Sequence, residues 1–239
     1  MPGSRADRGQ KADRARVEVD ERSTIFPAVG RTSDARERLI SAAIDLVWPQ
    51  GYAAVGVDAI CERADVRKGS FYHFFASKDD LMVAALDANW RERRAILDGV
   101  FSPEVPPLAR LLRYFDHVYK RQVELRRRYG RTLGCFYGSV GTECVERCPE
   151  VASKVQEILA GYARYLETAI HDAQERGAVR PGDPKKKAAM LFACIEGVLG
   201  QARIHDDPSI VRQLKTIGFE LLGVEHREDV PVADADPNG

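Results

Sequence analysis

From Leu39 to Leu221 the apolar residues of this chain recur three and four positions apart, in segments cut off from one another by proline and glycine. That period belongs to α-helices that bury one face. Leu39, Ile40, Ala43, Ile44 and Val47 share a face of a first helix, capped by Ser33 or Asp34 and stopped by Pro49 and Gly51. A short second helix fits Val57–Ala64, and a third fits about 67–74, after a tight connection at Asp65-Val66. Ser77, with Asp80 three residues on, caps a fourth that runs to about Leu97. Leu108, Leu111, Leu112, Phe115, Val118 and Tyr119 mark a fifth, which ends in Arg126-Arg127-Arg128. A sixth covers about 135–145. Pro149 opens a seventh that stops at Gly177, Pro184 an eighth and Pro208 a ninth. In the ninth, Ile210, Leu214, Ile217 and Leu221 step by four, three and four, which makes a narrow seam. No segment reads as a strand. The expected fold is all-α, with about nine helices.

Composition limits the function classes. Apolar residues make up 44% of the 239, enough for a packed core. The 36 basic and 36 acidic residues cancel, so any nucleic-acid contact must rest on local charge. No apolar run approaches the roughly 18 residues of a membrane span, and the N-terminus has no apolar core of a secretory signal. Five cysteines, an odd number and widely spread, argue against a disulfide framework. The simplest reading is a cytoplasmic protein with reduced thiols, no membrane contact and no cofactor. Residues 1–30 read as a disordered polar arm. Its start carries Arg5, Arg8, Lys11, Arg14 and Arg16 against Asp7 and Asp13, so it is either a solvated tail or a segment that touches phosphates. Residues 226–239 read as a disordered tail.

The informative stretch is Val57 to Phe75. Two short helices joined by a tight turn make a helix-turn-helix, whose second helix is placed to enter a DNA major groove. Arg67 and Lys68 can pair with phosphates or guanine edges, and Gly69 lets the backbone approach closely. Ser70, Tyr72 and His73 are donors facing outward, while Phe71 and Phe74 point to the core. The helix holds no acid, which makes it a basic patch in a neutral chain. Lys78 opens the next helix, where its ammonium and the free N–H groups could both meet a phosphate.

The run from Arg36 through Leu81 resembles the DNA-binding domain of the TetR family. The resemblance rests on Lys68-Gly-Ser-Phe-Tyr-His-Phe-Phe, followed by Ser77-Lys78 and Leu81. Val55 and Gly56 stand where that family often has a Thr or Ser hydroxyl, so the second helix begins without a side-chain cap. The resemblance implies a helix-turn-helix DNA-binding domain over 31–80 and a larger ligand-binding and dimerisation domain over 81–225. It implies a transcriptional regulator, a repressor by family default, and not an enzyme. The partners would be a near-palindromic double-stranded operator, a second copy through the last two helices, and a small-molecule inducer. The fourth helix, touching both halves, is the natural lever.

Two features of the second half bear on that reading. Ala189, Ala193 and Gly197, with Gly200 nearby, form a small-residue ridge suited to close helix approach. The candidate ligand-contact residues are Phe115, Tyr119, Phe136, Tyr137, Glu143, Tyr162, Phe192 and Glu196, beside Tyr165 and His117. Aromatics at this spacing serve a plain core as well. The segment Gly134-Cys-Phe-Tyr-Gly-Ser-Val-Gly-Thr-Glu143 resembles a Gly-Cys-x-x-Gly-Asn-x-x-x-Glu stretch of some TetR-type regulators, with Ser139 where Asn is usual. Some of that group respond to reactive small molecules.

Cys135, Cys144 and Cys148 are candidate redox or electrophile sensors, or else small buried apolar groups. Cys135 follows the basic run and lies near a helix N-terminus, conditions that lower a thiol pKa. Cys144 and Cys148 are four apart and could share a helical face. A zinc site needs four ligands, and this pair alone has suitable spacing, so no metal is expected. Two alternatives remain: a regulator gated by a protein partner, and a cysteine-dependent enzyme, for which no nucleophile–base pair is recognisable.

Overall fold

The computed structural model describes residues 31–224. The expected arm at 1–30 and tail at 226–239 lie outside the described residues. Within them are nine α-helices, a 3₁₀ turn and no strand: α1 Arg31–Gln50, α2 Val57–Ala64, α3 Lys68–Phe74, α4 Lys78–Val100, α5 Pro107–Tyr129, α6 Phe136–Cys144, α7 Pro149–Glu175, α8 Pro184–Ile204, the 3₁₀ turn Pro208–Gln213 and α9 Leu214–Leu222.

Local chemistry explains most of these bounds. Proline opens α5, α7 and α8, where a missing N–H is harmless. Ser77 accepts from the amide of Asp80, as expected of a cap, and Asp79 and Asp80 favour the positive end of α4. Gly56 caps α2 with no side-chain bond. Two helices depart from the sequence reading. α1 begins at Arg31, so Ser33 and Asp34 lie inside it rather than capping it, and Pro49 is carried in its last turn. The ninth segment starts as a 3₁₀ turn, because Asp207 receives the amide of Ser209, and becomes α-helical only at Leu214. There Val211, Leu214, Phe219 and Leu222 are buried, while Ile210, Ile217 and Leu221 are half-buried.

The packing does not break at residue 80. One apolar cluster joins α1, α2, α3 and the start of α4 to Leu125, Phe136, Val140, Val151 and Val155. A second, at the far end, joins the end of α4 to α5, α7, α8 and α9. α4 belongs to both, and its Leu81 and Leu97 are nearly inaccessible. Polar ties reinforce the junction. Asp45 of α1 accepts from Arg63 of α2 and from Arg128 and Tyr129 of α5. No helix among the described residues is long and apolar enough to cross a membrane.

Candidate DNA-reading head and candidate ligand cavity

The turn between α2 and α3 is made by Asp65, at φ 52°, whose amide and that of Val66 close back on Glu62 and Cys61. This left-handed residue ends α2 and redirects the chain. α3 is then pinned by Phe71, which is fully buried, and followed by the buried Phe75, while Phe74 is only half-buried. Truncating a buried phenylalanine costs roughly 3–5 kcal/mol, so the seat of α3 is firm. Around that anchor Arg67, Lys68, Gly69, Ser70, Tyr72 and His73 are all exposed, Tyr72 at 55%. A Cβ added at Gly69 would meet nothing within 4 Å. The fold itself does not require that glycine.

Among the described residues, Lys68 is the one member of this group with a charged partner close by. Its ammonium lies 2.7 Å from Asp58 at the start of α2, both exposed, and the pair raises the lysine pKa. Lys78 stands apart from the expected set. Its ammonium donates to the carbonyls of Tyr52 and Val55, at 3.0 and 3.1 Å, and lies over the Tyr52 ring. It holds the α1–α2 loop instead of waiting at the free end of α4, and the adjacent Asp79 accepts from the Tyr52 hydroxyl.

Behind this head a cavity of about 80 Å³ lies between α1, α4, α5, α6, α7 and α8. Of the residues expected at a ligand site, it gathers Phe136, Tyr137, Tyr162, Phe192 and Glu196, with His117 and Cys135. Tyr162 and Phe192 stack at 6.1 Å. Three expected residues are elsewhere. Phe115 faces α9, where a Cβ on Gly218 would come within 2.7 Å of its ring. Tyr119 lies at the surface beneath Arg212, which donates to its hydroxyl. Glu143 points away from the cavity and accepts from the amide of Ala53. Tyr165 lines a separate open groove of about 400 Å³ between α4 and α7.

The cavity also holds polar groups that periodicity did not point to: Trp48, Asn89, Arg93, Tyr114, Arg121 and Gln122. Two are spent on the scaffold. Asn89 accepts from Tyr137, and Gln122 exchanges two hydrogen bonds with Gly134, whose φ of +68° and proximity to Leu199 exclude a side chain. Arg203 donates to Ser139 and Leu133, tying α8 to the start of α6.

The thiols depart from expectation. Cys135 does cap α6 and accepts from the amide of Gly138. However, burial pushes its pKa well up, and Glu196 beside it adds to the rise. The basic run is occupied elsewhere, Arg126 with Asp206 and Arg128 with Asp45. Cys144 ends α6 and Cys148 precedes α7, so a turn rather than one helix face brings them together. Burial and Cys148 push the Cys144 thiol up to about 12. Among the described residues no three His, Cys, Asp or Glu side chains converge as a metal site.

The relatives agree with this architecture. The family described as bacterial regulatory proteins, tetR family, matches residues 39–85, and the tetracyclin repressor-like C-terminal domain matches 107–217. The transcriptional regulator AcuR of Cereibacter sphaeroides is 31% identical over 176 residues, covering 73% of this chain and 78% of that protein. This chain belongs to the TetR family. It is a DNA-binding transcriptional regulator and not an enzyme. The repressor NemR of Escherichia coli is 26% identical over 173 residues, covering 72% of this chain and 85% of that one. The solved regulatory protein TetR from Rhodobacter sphaeroides superposes with a TM-score of 0.70 at 28% identity, over 78% of this chain and 98% of that one. Reduced NemR of E. coli shares the fold, with a TM-score of 0.70 over 81% of this chain and all of that one.

Proposed function

We propose that this TetR-family protein is a repressor that binds a near-palindromic operator as a homodimer and lets go when a small molecule enters the cavity. The observation that carries the DNA-reading role is the outward face of α3. Arg67, Lys68, Ser70, Tyr72 and His73 are exposed around Gly69, which no neighbour crowds, and the helix holds no acid. Such a face offers donors to phosphates and base edges. A second copy supplies a second reading helix one DNA turn away, about 34 Å. The exposed stripe Ala189, Ala193 and Gly197 of α8, continued by Ile204 at 74% exposure, supports pairing there.

Release follows from the reach of α4. Its first turn grips the α1–α2 loop through Lys78 and Asp79, and its middle presents Asn89 and Arg93 to the cavity. The fifteen helical steps from Lys78 to Arg93 span about 22 Å of rigid helix. A ligand that favours one tilt of α4 thereby favours one spacing of the reading heads. The raised pKa values of Cys135 and Cys144 favour ligand binding over thiol modification as the signal.

The test is a mobility shift with DNA from upstream of the protein's own gene, beside a Tyr72→Ala, His73→Ala double variant. Competitor-resistant binding that the variant loses is the expected result. Absence of specific binding to that DNA and to any fragment from a genomic selection would overturn the proposal.

A further inference from the structure

Trp48, Arg93 and Arg121 line the same cavity, and each has a buried N–H with no acceptor: the indole Nε1 of Trp48 and the Nε of each arginine. Only one other buried side-chain polar atom among the described residues lacks a partner, so the concentration at this cavity is not general looseness. The three groups come from α1, α4 and α5, and no single turn of helix forces them together. Buried donors are ordinarily satisfied, and a set that is not indicates a missing acceptor.

The charges say which acceptor. Arg121 lies over Trp48, 5.4 Å from the ring centre, and its pKa is lowered by burial and then by the repulsion of Arg93. Each guanidinium has a carboxylate at ion-pair distance but beyond a hydrogen bond, Arg93 from Glu92 at 3.7 Å and Arg121 from Glu124 at 3.7 Å. Glu124 is largely in solvent. His117, in the same lining, has its pKa lowered by burial and by both arginines, which disfavours a third positive charge. Glu196 also faces the cavity. Burial raises its pKa, with the Cys135 thiol opposing part of the rise, so it opposes an anion less than a free carboxylate would. Two guanidinium groups and an indole therefore meet at this cavity with N–H groups that no side chain accepts from. A planar carboxylate matches such a set, because guanidinium N–H groups are spaced for its two oxygens.

Size and lining restrict the rest of the molecule. A volume of about 80 Å³ is roughly half that of the ~150 Å³ engineered cavity that admits benzene. Phe136, Tyr162 and Phe192 supply an apolar surface on the other walls. We infer that Trp48, Arg93 and Arg121 form an anion site, and that the ligand is a short organic acid whose carboxylate takes these N–H groups while its few carbons lie among the three rings. That this site controls DNA binding rests on the function proposed above. That it binds such an anion does not.

The test is isothermal titration of the purified full chain, without DNA, with straight-chain monocarboxylates of two to five carbons, each beside its neutral amide, and with inorganic phosphate. Saturable binding of an acid, at least tenfold tighter than its amide, is expected. Arg93→Gln and Arg121→Gln should each weaken it at least tenfold, and Arg121→Lys should restore part of the loss, with thermal melts confirming that all three variants fold. No saturable binding by any acid, equal binding of acid and amide, or unchanged binding in both glutamine variants would overturn the inference. Phosphate binding more tightly than every acid would overturn the assignment of an apolar body. Because no DNA is present, a failure of operator binding and a failure of this site are separately visible.

Discussion

Glu143, on α6, accepts a 2.9 Å hydrogen bond from the backbone amide of Ala53, in the loop that joins α1 to α2. From the other side the Lys78 ammonium takes two carbonyls of the same loop. The segment that leads into the helix-turn-helix is thus held at once by α4 and by α6. Gly51 leaves no room beside this carboxylate for a side chain. It has φ +96°, and a Cβ there would lie 2.9 Å from the Glu143 carboxylate.

A double-mutant cycle reads this contact. Glu143→Ala removes one charge-assisted hydrogen bond at an exposed site and should cost about 1 kcal/mol in urea unfolding. Gly51→Ala adds left-handed strain and a steric conflict, and should cost at least about 2 kcal/mol. In the Glu143→Ala background the conflict disappears and the strain stays. The second cost should fall there by about 0.5–1 kcal/mol. Strict additivity would mean that the carboxylate does not press on the loop.

In the proposed DNA-reading role of α3, Asp58 competes with phosphate for Lys68. The pair is 2.7 Å apart and exposed, and a phosphate that Lys68 meets must share its ammonium with the carboxylate. Asp58→Asn frees the ammonium and removes a negative charge from the face of the head. Operator affinity should rise several-fold. Lys68→Ala should weaken binding and reduce the slope of log affinity against log salt by about one. Fluorescence anisotropy at three salt concentrations measures both. An Asp58→Asn protein that binds DNA more weakly would show that the pair positions α3 rather than restraining it.

The helices were legible because their ends carry local chemistry. Ser77 with Asp80, Pro149 and Pro184 each act within a turn of chain, and a sequence reading finds them. That Phe136, Tyr162 and Phe192 face inward is legible for a related reason, since an inward apolar face is visible from its period. Phe115 and Tyr119 have the same period, yet they sit against α9 and Arg212, and which neighbour a helix face meets is a property of packing. Arg93 and Arg121 were missed because charged residues on a helix usually read as its wet side. Only the crossing of α4 and α5 near Trp48 turns them inward. Lys78 was placed on the correct helix turn, but its partners, Tyr52 and Val55, lie 26 and 23 residues earlier in the chain.

Alkali should unfold this protein earlier than its neutral composition suggests. Burial and Cys148 push Cys144 up to about 12, from an ordinary 9.0. Burial and Asp45 push Tyr129 up to about 12, from 10.0. Tyr52 is raised as well, by burial first and then by Asp79. Between the ordinary and the raised values the folded chain keeps protons that the unfolded chain releases. Stability therefore falls as pH rises through that window. The melting temperature should be flat from about pH 7 to 8.5 and drop from about pH 9 upward. Tyr129→Phe should make the drop above pH 10 shallower, while Asp45 keeps its bonds to Arg63 and Arg128. An unchanged drop would remove Tyr129 from the account.

Gly197 separates the proposed homodimer from a monomer with an apolar stripe. It lies exposed on α8, in line with Ala189 and Ala193, and a Cβ added there meets nothing within 4 Å of the same chain. Inside a helix a glycine costs about 1 kcal/mol relative to alanine. For an isolated chain Gly197→Leu should therefore be neutral or stabilising. In a dimer that packs α8 against its own copy, the leucine fills the gap that lets the two backbones approach. Sedimentation should then show dimers for the natural protein and a concentration-dependent shift to monomers for Gly197→Leu. Operator affinity should fall by at least tenfold, because the two reading helices lose their fixed spacing. A variant that stays dimeric and binds DNA normally would place the dimer contact on another face.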